Sequence, residues 1–200
     1  MGKLIMVRHG ESEGNRERRF TTTPDAPLTD LGREQAAQAT RRIARLFHPQ
    51  LVITSPYARA RETGEIIAAA LHFPVEIEQG LYERHFGYLR GQPYDAVRDD
   101  PTFETEKSWL WRPEGGESYE DVRLRVAPIL ERLAVRAGDD ELVVVSHGGV
   151  MLTCWAHLVG HWENTHVPRT AESCCSNTKT EAFGLPKLSR TEREASRPRH

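Results

Sequence analysis

Two short apolar runs, far apart in the chain, each end in a histidine followed by glycine. The first is Leu4-Ile5-Met6-Val7-Arg8-His9-Gly10 and the second is Leu142-Val143-Val144-Val145-Ser146-His147-Gly148. Apolar runs without polar alternation mark strands buried on both faces, as in the parallel sheets of α/β domains. Such sheets bind ligands at the carboxyl ends of their strands. If the two strands are neighbours, His9 and His147 meet at one sheet edge. Arg8 adds a planar fork of donors suited to phosphate or carboxylate. An imidazole in that position can serve as nucleophile, base or metal ligand.

Strand and helix patterns alternate between the two runs. Leu51–Thr54 reads as a second buried strand and Pro74–Glu78 as an alternating one. Thr29 is a plausible N-cap, with Asp30 behind it, for a helix carrying Leu31, Ala36, Ala39, Ile43 and Leu46 at helical spacing. Arg41, Arg42 and Arg45 fall on its other faces, and Gly32 implies that a larger side chain would clash there. A second helix opens at Ser55-Pro56-Tyr57-Ala58-Arg59. Pro56 suits its first turn, and Ala60, Ile66, Ile67, Ala70 and Leu71 form its buried side. From Gln92 to Tyr119 a short helix and a loop are expected. Glu117 to Arg136 is helical through Val122, Val126, Ile129, Leu130 and Leu133, with a kink or boundary expected at Pro128. Asn177–Phe183 alternates as an edge strand. The expected fold is one three-layer α/β domain over residues 1–184, a mainly parallel sheet with helices on both faces. Residues 185–200 are expected to be a mobile polar tail.

Composition narrows the function classes. A net charge of −2 over 200 residues argues against nucleic acid or an anionic membrane as partner. No apolar stretch approaches a membrane span, and no secretory leader pattern is present. The three cysteines, Cys154, Cys174 and Cys175, form no disulfide framework and point to a reducing cytoplasm. His157, His161 and His166, near Cys154 and Cys174, could be drawn as a zinc site. Gly160 interrupts the first pair and no Cys-x-x-Cys is present, so they read as ordinary histidines.

Two further elements bear on chemistry. Arg59 lies in the first turns of a helix, where free N–H groups also favour anions. The segment Gly80–Gly91 mixes charges, aromatics and glycines without period, as ordered functional loops do. Its Glu83 is a candidate general acid. Arg8, Arg59, His9 and His147 would together make a phosphate site, and Glu83 would make it catalytic.

These pieces resemble the histidine phosphatase superfamily, also called the phosphoglycerate mutase-like family. Arg8-His9-Gly10-Glu11-Ser12 matches its signature. So do Ser55-Pro56 with Arg59-Ala60 and Thr63, the Glu83 loop, Gly115-Gly116-Glu117-Ser118, and Ser146-His147-Gly148-Gly149. The resemblance runs from Lys3 to Phe183. It implies that His9 is the nucleophile and forms a phosphohistidine. It implies that Arg8, Asn15, Arg59 and His147 hold the phosphoryl oxygens, and that Glu83 protonates the leaving oxygen and then activates water. No metal or other cofactor is implied. Thr21, Arg84 and Gly148 become candidate substrate contacts, with Asn177 and Thr178 as weaker ones. The expected partner is a small phosphorylated metabolite, and a homodimer stays open.

Within the family, Glu83-Arg84-His85-Phe86-Gly87 is similar to the Glu-Arg-His-Tyr-Gly segment of cofactor-dependent phosphoglycerate mutases. Those mutases carry a long insertion with paired arginines before the second histidine. Here that interval is short, and Lys107-Ser108-Trp109-Leu110-Trp111-Arg112 does not match it. Thr22 also stands after Phe20-Thr21 where the mutases have glycine. A mutase must exclude water and a phosphatase must admit it. The expected activity is therefore phosphomonoester hydrolysis, with a mutase as the alternative. A silent relative that only binds a phosphorylated ligand is a third reading, and the presence of His9, Glu83 and His147 counts against it.

Overall fold

The computed structural model describes residues 2–21 and 23–163, together with the backbone of 173–177 and 182–183. Six strands form one sheet: β1 (Lys3–Arg8), β2 (Pro49–Thr54), β3 (Val75–Ile77), β4 (Glu141–Ser146), β5 (Ser173–Asn177) and β6 (Ala182–Phe183), in the order β3-β2-β4-β1-β5-β6. The first four in that order are parallel, and β5 and β6 are antiparallel to their neighbours. The helices are α1 (Glu13–Arg16), α2 (Asp30–Leu46), α3 (Ala58–Leu71), α4 (Tyr119–Ala137) and α5 (Gly148–Val159).

The continuous apolar runs of β1 and β4 are explained by burial on both sides. Leu4, Met6, Leu142 and Val144 pack with α4 and α5 through Val126, Leu130, Leu133 and Val150. Ile5, Val7, Val143 and Val145 pack on the other face with Ile43 of α2 and Ala60 and Ile67 of α3. Each fully buried side chain of this size contributes roughly 1.5–3 kcal/mol from apolar burial. The expected three-layer architecture is therefore present.

Thr29 caps α2, accepting from the N–H of Gly32. A Cβ on Gly32 would stand 2.1 Å from the carbonyl oxygen of Glu11, so the glycine lets α2 press against the chain leaving β1. Some sequence expectations need correction. Leu31 and Leu46 lie on the exposed side of α2, and Ala70 is exposed on α3. Pro56 is not in the first turn of α3; Tyr57 is the N-cap and the proline precedes it. Helix α4 continues past Pro128 to Ala137, so the proline marks no boundary. The proline lies on an exposed face, where the carbonyl of Leu124, itself exposed, can reach water. The edge-strand pattern expected over 177–183 is two pieces, β5 ending at Asn177 and β6 at Ala182–Phe183. The expected contacts from the side chains of Asn177 and Thr178, and the expected tail, lie outside the described residues. Among the described residues no helix is long and apolar enough to cross a membrane.

Candidate active site

The register of the parallel strands builds the site. Arg8 pairs with Ser146 and Thr54 with Val145. The N–H of His9 donates to the Ser146 carbonyl at 2.9 Å, and that of Ser55 to the Val145 carbonyl at 3.0 Å. His9, His147 and Ser55 are thus the residues that leave three adjacent strands at the same edge. The His9 and His147 rings lie edge to face, 5.1 Å between centroids, and both are buried.

Nδ1 of His9 donates to the carbonyl of Gly10 at 2.6 Å, and Nε2 accepts from Nε of Arg59 at 3.2 Å. A carbonyl can only accept, so this pairing fixes the proton on Nδ1 and leaves a lone pair on Nε2. Burial, then the charges of Arg59 and Arg8, hold the His9 pKa well below the ordinary imidazole range. Burial and Arg59 do the same for His147. Both rings are neutral at neutral pH. Nε2 of His147 lies 2.7 Å from the Ser55 hydroxyl, which accepts from the N–H of Tyr57. With the hydroxyl proton directed to Nε2, the ring proton of His147 falls on Nδ1. That Nδ1 and Nη1 of Arg59 are buried without a hydrogen-bond partner among the described residues. A buried donor left unpaired costs about 1–3 kcal/mol, and phosphoryl oxygens are acceptors that would satisfy both.

Arg59, in the first turn of α3, is tied to the His9 loop through Thr63. That hydroxyl donates to the Arg59 carbonyl at 2.8 Å and accepts from the Gly10 N–H at 3.1 Å. The Tyr57 ring lies 5.2 Å from the Arg59 guanidinium and 5.2 Å from the His147 ring. Sequence patterns assigned no role to Ser55 or Thr63 and passed over Tyr57. Ser55 was findable by the rule that exposed His9, since it too ends a buried strand; the ring contacts of Tyr57 are tertiary.

Glu83 reaches the same edge from its irregular loop. Its carboxylate accepts from the Arg84 N–H at 2.8 Å and from the Gly149 N–H of α5 at 3.3 Å. The loop is held from behind by Glu117 and Arg125. The Glu117 carboxylate accepts from the His85 N–H, and Arg125 donates to the carbonyls of Gly80 and Tyr82. Ser146 adds a bond to the Leu81 carbonyl at 2.8 Å.

The remaining candidates divide. Arg8, at the end of β1, bears electrostatically on both histidines. Gly148 opens α5 beside His147, where its N–H has no intrahelical acceptor. Asn15 is engaged in a capping box with Ser12 and donates to the Tyr94 hydroxyl at 3.1 Å. Thr21 lines an open cleft that Arg59 and Glu83 also line. Arg84 borders the cleft, but its guanidinium donates to the carbonyls of Glu117 and Trp111 and lies 4.2 Å from the Tyr119 ring centre. Away from the cleft, His157 lies 3.7 Å from the Glu131 carboxylate. Among the described residues no group of three or more His, Cys, Asp and Glu is arranged for a metal ion; the side chains of His166, Cys174 and Cys175 lie outside them.

A neutral buried histidine flanked by arginines, a second histidine and a glutamate meet at a parallel-sheet edge of a three-layer α/β domain, an arrangement whose chemistry suits phosphoryl transfer. The chain belongs to the histidine phosphatase superfamily (branch 1), whose model matches residues 4–184. It is 34% identical over 168 residues to a glucosyl-3-phosphoglycerate phosphatase of Mycolicibacterium vanbaalenii, covering 79% of this chain and 74% of that one. It is 31% identical to a metal-independent phosphoserine phosphatase of Arabidopsis thaliana, covering 78% and 68%. A solved mycobacterial glucosyl-3-phosphoglycerate phosphatase with VO3 superimposes with a TM-score of 0.78 at 26% identity, covering 86% of this chain and 90% of that one.

Proposed function

We propose that the protein hydrolyses a small phosphomonoester metabolite through a phosphohistidine on His9. The observation that carries this reading is the His9 ring itself, neutral and fixed by Gly10, its Nε2 accepting from Arg59, whose Nη1 is buried without a partner among the described residues, as is Nδ1 of His147. Nε2 attacks phosphorus as the ester P–O bond breaks, and Glu83 gives its proton to the leaving oxygen. Arg8, Arg59 and the Nδ1–H of His147 stabilise charge on the equatorial oxygens. Glu83 then takes a proton from water as the water attacks phosphorus. The P–N bond breaks, releasing inorganic phosphate and restoring both side chains. Asn15 and the Gly148 N–H would support phosphate binding, and Thr21 would contact the substrate.

Nucleophile and charge stabilisation both come from side chains, so no step calls for a metal; one relative is named metal-independent. Relatives carry both names, phosphatase and phosphoglycerate mutase. It is the short interval between Glu83 and His147 and the open cleft that favour hydrolysis, since a phosphatase must admit water. The cysteine usage supports a reducing, cytoplasmic setting.

Rapid quenching with a phosphomonoester should trap an acid-labile phosphoryl group on His9, absent in His9→Ala, with phosphate released at the turnover rate. EDTA should leave that rate unchanged. Isomerised phosphoglycerate without free phosphate would instead establish the mutase alternative. Loss of activity with EDTA and recovery with a divalent ion would overturn the mechanism.

A further inference from the structure

Among the described residues three arginines line the active-site cleft: Arg59, Arg84 and Arg90. Arg59 is engaged with His9 and the phosphoryl position. Arg84 is only 6% exposed, and its guanidinium is spent on the carbonyls of Glu117 and Trp111. Arg90 is exposed and has no carboxylate partner among the described residues. Elsewhere on the surface Arg33, Arg123, Arg132 and Arg136 each hold a carboxylate, while Arg41 and Arg45 hold none among the described residues; Arg90 differs from these two in lining the cleft. Among the described residues, the only carboxylate lining the cleft belongs to Glu83.

The backbone under Arg90 is anchored on both sides. Leu89 is fully buried. The Gly91 N–H donates to the Phe20 carbonyl at 2.8 Å, and the Gly91 carbonyl accepts from Arg19 at 2.9 Å. The cleft therefore presents, besides the Arg59 guanidinium bonded to His9, an exposed cation on a fixed base. We infer that Arg90 is a specificity-determining residue that binds a second anionic group, a carboxylate or a second phosphate, on the carbon skeleton of the substrate. This inference rests on the phosphomonoesterase reading. It moves to Arg90 the substrate contact that the sequence suggested for Arg84. Arg90 forms two parallel hydrogen bonds to either anion, a geometry lysine cannot reproduce.

The test uses p-nitrophenyl phosphate hydrolysis as the readout and matched competitors. 3-Phosphoglycerate and glycerol 3-phosphate differ only in a carboxylate against a hydroxymethyl group. 1,3-Propanediol bisphosphate and its monophosphate do the same for a second phosphate. In the wild type at least one anionic member should bind about ten-fold more tightly than its neutral counterpart, the usual effect of a charge-assisted hydrogen bond. Arg90→Gln should erase that ratio and Arg90→Lys should keep part of it. Because each inhibition constant is compared with its counterpart in the same protein, a general loss of folding or phosphate affinity cancels. The pair that shows the effect identifies the anion. Equal constants in the wild type, or a ratio unchanged in Arg90→Gln, would overturn the subsite alone. A wild-type protein that left p-nitrophenyl phosphate intact would overturn the phosphomonoesterase reading and the subsite with it.

Discussion

Nε of Arg59 lies 3.2 Å from Nε2 of His9, so the cation suited to grip phosphate holds the lone pair that would attack phosphorus. Attack requires this N–H to leave the imidazole. A charged phosphoryl oxygen is the stronger acceptor, so substrate entry itself should draw the guanidinium away. Until then the bond orients the ring, and the arginine's charge disfavours its protonation.

Arg59→Ala should accordingly do two things. It should lower kcat/KM on alkyl and aryl phosphates alike, by about 10²–10³-fold, because both substrates share the phosphoryl group. It should also raise the pKa of His9, since Arg59 is the largest charge holding it down after burial. NMR titration of the His9 ring in the two proteins reads the second effect. An unmoved titration would refute the electrostatic part of this role.

The same lowered pKa values make stability depend on pH. In the unfolded chain both histidines titrate near ~6.5. Folded, burial and arginine charge keep His9 and His147 neutral to lower pH. Below about 6.5 the unfolded chain therefore binds protons that the folded chain refuses. Stability is full above that pH and falls as pH drops toward the lowered folded values, by up to about 1.4 kcal/mol per pH unit for each histidine. Urea unfolding at pH 7 and 5.5 should show the loss, and the double variant His9→Gln/His147→Gln should flatten it. Equal slopes in the two proteins would contradict the assignment.

Gly149 gives a test of geometry near Glu83. A Cβ there would lie 2.5 Å from Oε1 of Glu83 and 3.2 Å from the Tyr119 ring. Gly149→Ala should therefore displace the carboxylate while leaving His9 and Arg59 in place. A misplacement of about 1 Å can cost ~10²-fold. The loss should appear on alkyl phosphates, with phosphorylation of His9 by p-nitrophenyl phosphate less affected. A variant as active as the wild type on both would show that the Glu83 position is not critical.

The parts of the molecule visible in the sequence were those written as local pattern. The runs ending at His9 and His147 are apolar because β1 and β4 are buried on both faces. Their shared ending is informative because parallel register aligns strand ends. Gly32 was legible as a close approach, although its partner, the Glu11 carbonyl, was not. Contacts between distant segments stayed hidden. No local feature of Glu117 says that its carboxylate ties down the backbone of the Glu83 loop. Arg84 and Arg90 carry the same charge in one loop, and only contacts with distant segments, the Tyr119 ring and the carbonyls of Glu117 and Trp111, separate the buried guanidinium from the exposed one.

The role of Glu83 can be separated from that of the phosphate-binding groups by the leaving group. Its carboxylate sits at the edge that carries His9, bonded to the N–H groups of Arg84 and Gly149. An alkoxide has a high pKa and needs a proton as it leaves, whereas p-nitrophenolate leaves nearly unaided. Glu83→Gln should therefore slow phosphorylation of His9 by an alkyl phosphate by ~10²–10⁴-fold. It should slow phosphorylation by p-nitrophenyl phosphate far less. The later hydrolysis of the phosphohistidine should be slow whichever ester supplied the phosphate, because the same side chain activates the water. His9→Ala should abolish both phosphorylation reactions. Single-turnover measurements on the two esters resolve the steps. Equal losses in the first step would rule out proton donation and leave Glu83 as a positioning residue.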